Sequence, residues 1–135
     1  MVMLHRRHFT VGQANNLVPV INDLMIGLRF AHATLSSGLQ ESELSLLAET
    51  SGGAWPGRER AEAAVTVSLA FETLEELDVL VRDVERGIVD FPTLMNGREV
   101  YLCWRLGERE ISHWHELESG FAGRRPLVRE ARRSS

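Results

Sequence analysis

The stretch 87–125, GIVDFPTLMNGREVYLCWRLGEREISHWHELESGFAGRR, decides the fold, and it gathers two of the three Trp, the only Cys, the only Tyr and two of the five His. Asn96-Gly97, between Thr93-Leu94-Met95 and Arg98-Glu99-Val100-Tyr101-Leu102, is a two-residue hairpin signal, because both central positions of a type I′ turn need positive φ. Gly107-Glu108, between Trp104-Arg105-Leu106 and Arg109-Glu110-Ile111, fits a type II′ turn with Gly first. Together the two turns predict a three-stranded antiparallel meander over about residues 88–116.

Read literally, the turns set a register. Met95 opposes Arg98 and Phe91 opposes Leu102; across the second turn Trp104 opposes Ile111 and Leu102 opposes His113. Side chains alternate faces along a strand, so Val89, Phe91, Thr93, Val100, Leu102, Trp104, Ile111, His113 and His115 are predicted on a core face. Asp90, Pro92, Tyr101, Cys103, Arg105, Ser112, Trp114 and Glu116 fall on the other. In this register Cys103 and the histidines point in opposite directions, and a slip of one residue would reverse that.

Upstream, Thr10-Val11-Gly12-Gln13 matches a capping box and predicts a helix start. Ala14, Leu17, Ile21, Leu24, Met25, Leu28, His32, Leu35, Leu39 and Leu46 share one stripe at helical spacing. A long first helix is therefore expected over about 10–48, with Pro19 kinking it or ending its first turns. Residues 51–57, SGGAWPG, read as a loop. A second helix is predicted over about 58–87 from Thr66, Leu69, Ala70, Thr73, Leu77, Leu80, Val81, Val84 and Ile88, with Gly87 as its C-terminal cap. A short connection makes the two helices an antiparallel hairpin. The expected fold is thus α+β: a long helical hairpin, the meander, and an Arg-rich C-terminal tail, with 1–127 as one domain and 128–135 as a flexible basic tail.

Composition bounds the function. With 135 residues, 44% hydrophobic and 25% charged, the chain suits a single folded domain. A net charge of −4 argues against a dedicated nucleic-acid binder. One Cys excludes an internal disulfide and fits a reducing compartment. No apolar run approaches the roughly 18 residues of a membrane span and no signal-peptide pattern is seen, so a cytoplasmic protein without membrane contact is expected.

Two constellations carry chemistry. His113 and His115, two apart on a strand, project to one side, and His32 also faces inward from the first helix. With a carboxylate, either Glu116, adjacent in sequence though on the opposite face of this register, or Glu62 or Glu76 of the second helix, they would suit a divalent transition metal, Zn, Fe or Ni. Asp90, Cys103 and Ser112 lie abreast on the other face near Arg105. A nucleophilic thiol needs a neighbouring base or positive charge, whereas the predicted neighbour is Asp90 and no His is placed as base. Cys103 is therefore read as a packed thiol and Asp90 as a partner for Arg105 or Arg124. In the run Gly120-Phe121-Ala122-Gly123-Arg124-Arg125, Arg124 either joins glycine amides in holding a small anion or pairs with a carboxylate of the protein.

The segments Gly87 to Pro92, Asn96 to Glu108, Trp114-His115-Glu116 and Gly120 to Leu127, with Phe9-Thr10, Ala14-Asn15 and Leu17 to Pro19, resemble the domain of unknown function 2203 family of bacteria and archaea. The resemblance spans nearly the whole chain. It implies no activity, and it marks Asp90, Cys103, Arg105, Glu108, His115, Glu116 and Arg124 as the polar positions of the family pattern. Three readings follow from the residues. The leading one is an oligomeric interaction or ligand-binding module that self-associates through its long helices, motivated by Trp55, Phe30 and Leu44 off the core stripe. The second is a metal-binding protein or small metalloenzyme using the His cluster. The third is a small-anion-binding domain.

Overall fold

The computed structural model describes residues 2–37 and 57–127, and its two helices and antiparallel sheet make an α+β fold. Helix α1 spans Val11–Ser36. The capping box forms as expected: the Thr10 hydroxyl accepts from the Gln13 amide and the Gln13 side chain accepts from the Thr10 amide, both at 3.0 Å. Pro19 lies inside the helix on its exposed side without ending it. The helix stops at Ser36, and the predicted continuation to about residue 48, the 51–56 part of the loop with Trp55, and the tail 128–135 lie outside the described residues.

Helix α2 spans Gly57–Glu76, shorter than predicted. Its end is a Schellman turn: Asp78 takes a φ of 62°, the Val79 amide donates to the Leu74 carbonyl, and the Asp78 amide donates to the Glu75 carbonyl, each at 3.0 Å. The residues Leu80–Asp83, predicted helical, are instead a strand, β1. The predicted apolar stripe of the second helix counted those strand residues. The true buried face is Ala63, Ala70 and Leu74, and Leu69 is exposed. Arg60 at the start of α2 donates to the Thr34 and Leu35 carbonyls at the end of α1, while Arg7, ahead of α1, reaches the Leu77 carbonyl past α2. The two helices therefore run antiparallel.

The sheet has five strands rather than three, β1 with β2 (Ile88–Met95), β3 (Arg98–Arg105), β4 (His113–His115) and β5 (Arg125–Pro126), in sequence order and all antiparallel. Gly87 is not a helix cap but the turn into β2. Its φ is 71°, and a Cβ there would lie 2.5 Å from Leu106 Cβ, so only glycine fits. The Asn96-Gly97 turn has the two positive φ values of type I′, 54° and 79°, and the predicted pairs Met95 with Arg98 and Phe91 with Leu102 form.

The second turn corrects the sequence reading. Residues 105–108 make a turn closed by the Glu108 amide on the Arg105 carbonyl at 3.0 Å, but β4 does not start until His113. The intervening segment is pinned from two sides. Ile111 donates its amide to the Asn15 side chain on α1 at 2.7 Å, and Trp104 Nε1 donates to the Glu108 carbonyl at 3.0 Å. The resulting register is Tyr101 with His115, Leu102 with Trp114 and Cys103 with His113, one residue away from the expected pairing. That slip turns His113 and His115 off the core face and Trp114 towards it.

The core lies between the helices and the sheet, with Phe9, Ile21, Met25, Leu28, Leu74, Phe91, Leu102, Trp104 and Ile111 almost fully buried. Each such large side chain contributes about 1.5–3 kcal/mol relative to exposure. Phe9 meets Phe91 edge-on at 5.4 Å between centroids. The segment before it is tied to the sheet's other face, where Glu99 accepts from the Leu4 amide at 2.8 Å, the His5 amide at 3.1 Å and His8 Nε2 at 2.7 Å. Burial alone would push the Glu99 carboxyl up, yet the His8 ring and the two amides together hold it below its ordinary value.

Candidate functional site

On the sheet face opposite the helices, Arg82 from β1, Asp90 from β2, Cys103 from β3 and His115 from β4 come together. Alternation along β2 and β3 puts Asp90 and Cys103 there as an opposed pair. The one-residue slip of β4 brings His115 to the same face. Asp90, Cys103 and His115 are 1%, 0% and 2% exposed. Donor atoms of the three lie within 4.8 Å of one another.

His115 is held at both nitrogens. Its Nδ1 lies 2.7 Å from the Glu116 carbonyl oxygen, and its Nε2 lies 3.0 Å from both Asp90 carboxylate oxygens. A carbonyl only accepts, so Nδ1 carries a proton and the ring orientation is fixed. Nε2 then faces a carboxylate, and the two groups must share a second proton or a cation. Asp90 Oδ2 also accepts from Arg82 Nε at 2.9 Å. Partial burial works against the Arg82 charge, but the Asp90 carboxylate holds it above its ordinary value. The Arg82 guanidinium lies 4.9 Å over the Tyr101 ring and remains half exposed, so it forms the outer cover of the cluster.

Burial, with Asp90 adding to it, pushes the Cys103 thiol up to about 12. No His115 nitrogen is left to take its proton. The three side chains therefore do not form a nucleophile and base pair, because the imidazole would have to lie between thiol and carboxylate with one nitrogen on each. As metal donors they are better matched: a thiolate, an imidazole nitrogen whose other nitrogen is fixed on a carbonyl, and a carboxylate.

The other expected site residues are dispersed. His113 faces Ser112, whose hydroxyl lies 2.9 Å from its Nδ1, and His32 is half-buried on α1. Neither joins the one three-donor cluster among the described residues. Glu116 pairs with Arg98, whose hydrogen bond lowers its carboxyl below the ordinary value. Glu108 accepts from Arg124 at 2.8 Å and from the Arg105 amide at 2.6 Å. Arg124 also lies 4.6 Å over the Phe121 ring, and Arg105 reaches that ring at 5.7 Å. Asp90 is thus partnered by Arg82 and His115, not by Arg105 or Arg124; Arg124 is committed to Glu108 and Phe121, and the Arg105 guanidinium lies over Phe121.

Arg82 is the member of this cluster that the sequence pattern puts elsewhere, on the expected second helix. Its signal was the run Val79, Val81 and Val84, β-branched at strand-like density after Asp78. The described residues contain no helix long and apolar enough to cross a membrane. No curated protein and no solved structure matches the chain. The family model described as an uncharacterized conserved protein, DUF2203, matches residues 7–127, nearly the whole chain, and the protein belongs to that family.

Proposed function

We propose that the protein binds a divalent transition metal through Asp90, Cys103 and His115. The observation that carries this reading is the convergence of three chemically different donors within 4.8 Å in a buried position. Sulfur, nitrogen and oxygen donors together suit Zn2+, Co2+ or Fe2+ rather than Mg2+ or Ca2+. His115 keeps the role expected from sequence, but with Asp90 and Cys103 in place of His113, His32 and Glu116. A cation bound there would take the place of the proton shared between Nε2 and the Asp90 carboxylate, and it would displace the Cys103 proton.

Untagged protein purified without chelator should carry close to one metal per chain, or take it up on reconstitution with Zn2+. The Co2+-loaded protein should show thiolate-to-metal charge-transfer absorption, and Cys103→Ser should abolish it. His115→Ala should lose the metal. No metal after reconstitution, or metal retained by both variants, would overturn the assignment.

A second reading, self-association through the helices, is favoured by the large apolar groups that α1 and α2 leave uncovered. Phe30 is 75% exposed, Val65 and Leu69 58% each, and Ile26 51%. Sedimentation equilibrium should report a dimer that Phe30→Glu with Leu69→Glu converts to monomer; a monomer at every concentration removes the reading. Cytoplasmic location, and 1–127 as one domain, belong to the same proposal and rest on the single free thiol and on the one core shared by both helices and the sheet.

A further inference from the structure

Away from the metal cluster, on the face that carries the helices, a cleft of about 520 Å³ opens between the start of α1 and the β4–β5 edge. Its size is within the range of small-molecule sites. Phe9 and Leu102 form part of its apolar lining, Trp114 another wall, and Thr93, His8 and Arg125 line it as well. Several of its polar groups are already satisfied inside the protein. The Thr93 hydroxyl donates to the Phe9 carbonyl at 2.6 Å, and His8 Nε2 is held by Glu99.

Arg125 differs. It is exposed, and its guanidinium stands 5.3 Å over the Trp114 ring. The nearby carboxylate, Glu116, is hydrogen-bonded by Arg98; Arg125 acts on it through its charge, without a hydrogen bond. Among the described residues no Asp or Glu lines the cleft, although the whole chain carries a net charge of −4. A cavity that is apolar along its floor, aromatic on one wall and cationic at its rim is complementary to one ligand class. We propose that this cleft binds a small amphipathic anion: a flat aryl body seated against the half-buried Met95 and Trp114, with a carboxylate or phosphate held by Arg125. The stacked guanidinium is suited to this, since Arg grips planar oxyanions at two points while its own plane rests on an aromatic ring.

The test is calorimetric titration of the full chain with 1-naphthyl phosphate, 1-naphthoate and the neutral 1-naphthalenemethanol. At least one anionic probe should bind saturably and more tightly than the neutral one. The Arg125→Ala variant, changed at an exposed position, should weaken that anion by about 10- to 100-fold, the range of a lost charge-assisted contact. Met95→Trp, which fills the cleft from its wall, should weaken all three probes. Whichever anion binds tighter identifies the head group. No saturable binding, equal binding of neutral and anionic probes, or an Arg125→Ala variant that binds like the wild type would each overturn the proposal. Cys103→Ser should leave the titration unchanged, which separates this cleft from the metal cluster.

Discussion

An Asp90→Ala variant is expected to be less stable than the wild type by about 3 to 5 kcal/mol in metal-free buffer, read from urea unfolding midpoints at unchanged slope. The estimate follows from what the carboxylate holds. Asp90 is 1% exposed and accepts from both His115 and Arg82. Arg82 is half exposed and can turn to water, so its loss is small. His115 cannot: it is 2% exposed, fixed at Nδ1 on the Glu116 carbonyl, and the variant leaves its Nε2 without a partner in a dry site. Asp90→Asn should cost less, because an amide oxygen still accepts one hydrogen bond. The double variant Asp90→Ala with His115→Ala should cost clearly less than the sum of the singles, since no orphaned nitrogen remains. Additive losses would mean that the two side chains do not act as a pair. Bound metal should enlarge the Asp90→Ala difference, by mass action on the folded state alone.

Local chemistry was legible in the sequence wherever one residue type has one conformational use. Asn96-Gly97 fixed the β2–β3 register because few other pairs tolerate two positive φ values, and Thr10 with Gln13 marked the helix start for a similar reason. What was not legible depended on contacts far apart in the chain. Gly107, with φ of 104°, does sit in a turn. The length of the segment after it, however, is set by the Asn15 side chain on α1 and by the Trp104 indole, neither of which leaves a trace in the local pattern. A shift of a single residue there moved both histidines to the other face. The register read from the turns puts Asp90 and Cys103 abreast but His115 on the opposite side of the sheet. Likewise, the apolar residues of Leu77 to Val84 fit a helical stripe about as well as a strand, and the Schellman turn at Asp78 decides between them.

The loop that sets the register makes Trp104 the second position of large effect. Trp104→Ala is expected to destabilise the fold by about 3 to 5 kcal/mol, the usual range for an aromatic removed from a packed core. Its side chain is 0% exposed among the core residues facing the helices, and its Nε1 is the donor that holds the Glu108 carbonyl. Trp104→Phe separates these two roles. It keeps most of the apolar volume and removes the hydrogen bond, so it should cost about 1 to 2 kcal/mol. Its informative consequence lies on the opposite face. If the indole bond sets the length of the 105–112 segment, loosening it weakens the pairing of Tyr101 with His115, and the His115 ring drifts from Asp90. Trp104→Phe should then bind Zn2+ more weakly than the wild type while Phe91→Leu, an equally buried core change that leaves the loop anchored, should not. Chelator competition on the two variants, matched for stability, reads the difference directly. Equal zinc affinity would show that Asn15 alone suffices to hold the segment, and that the register of β4 is set from the helix rather than from the sheet.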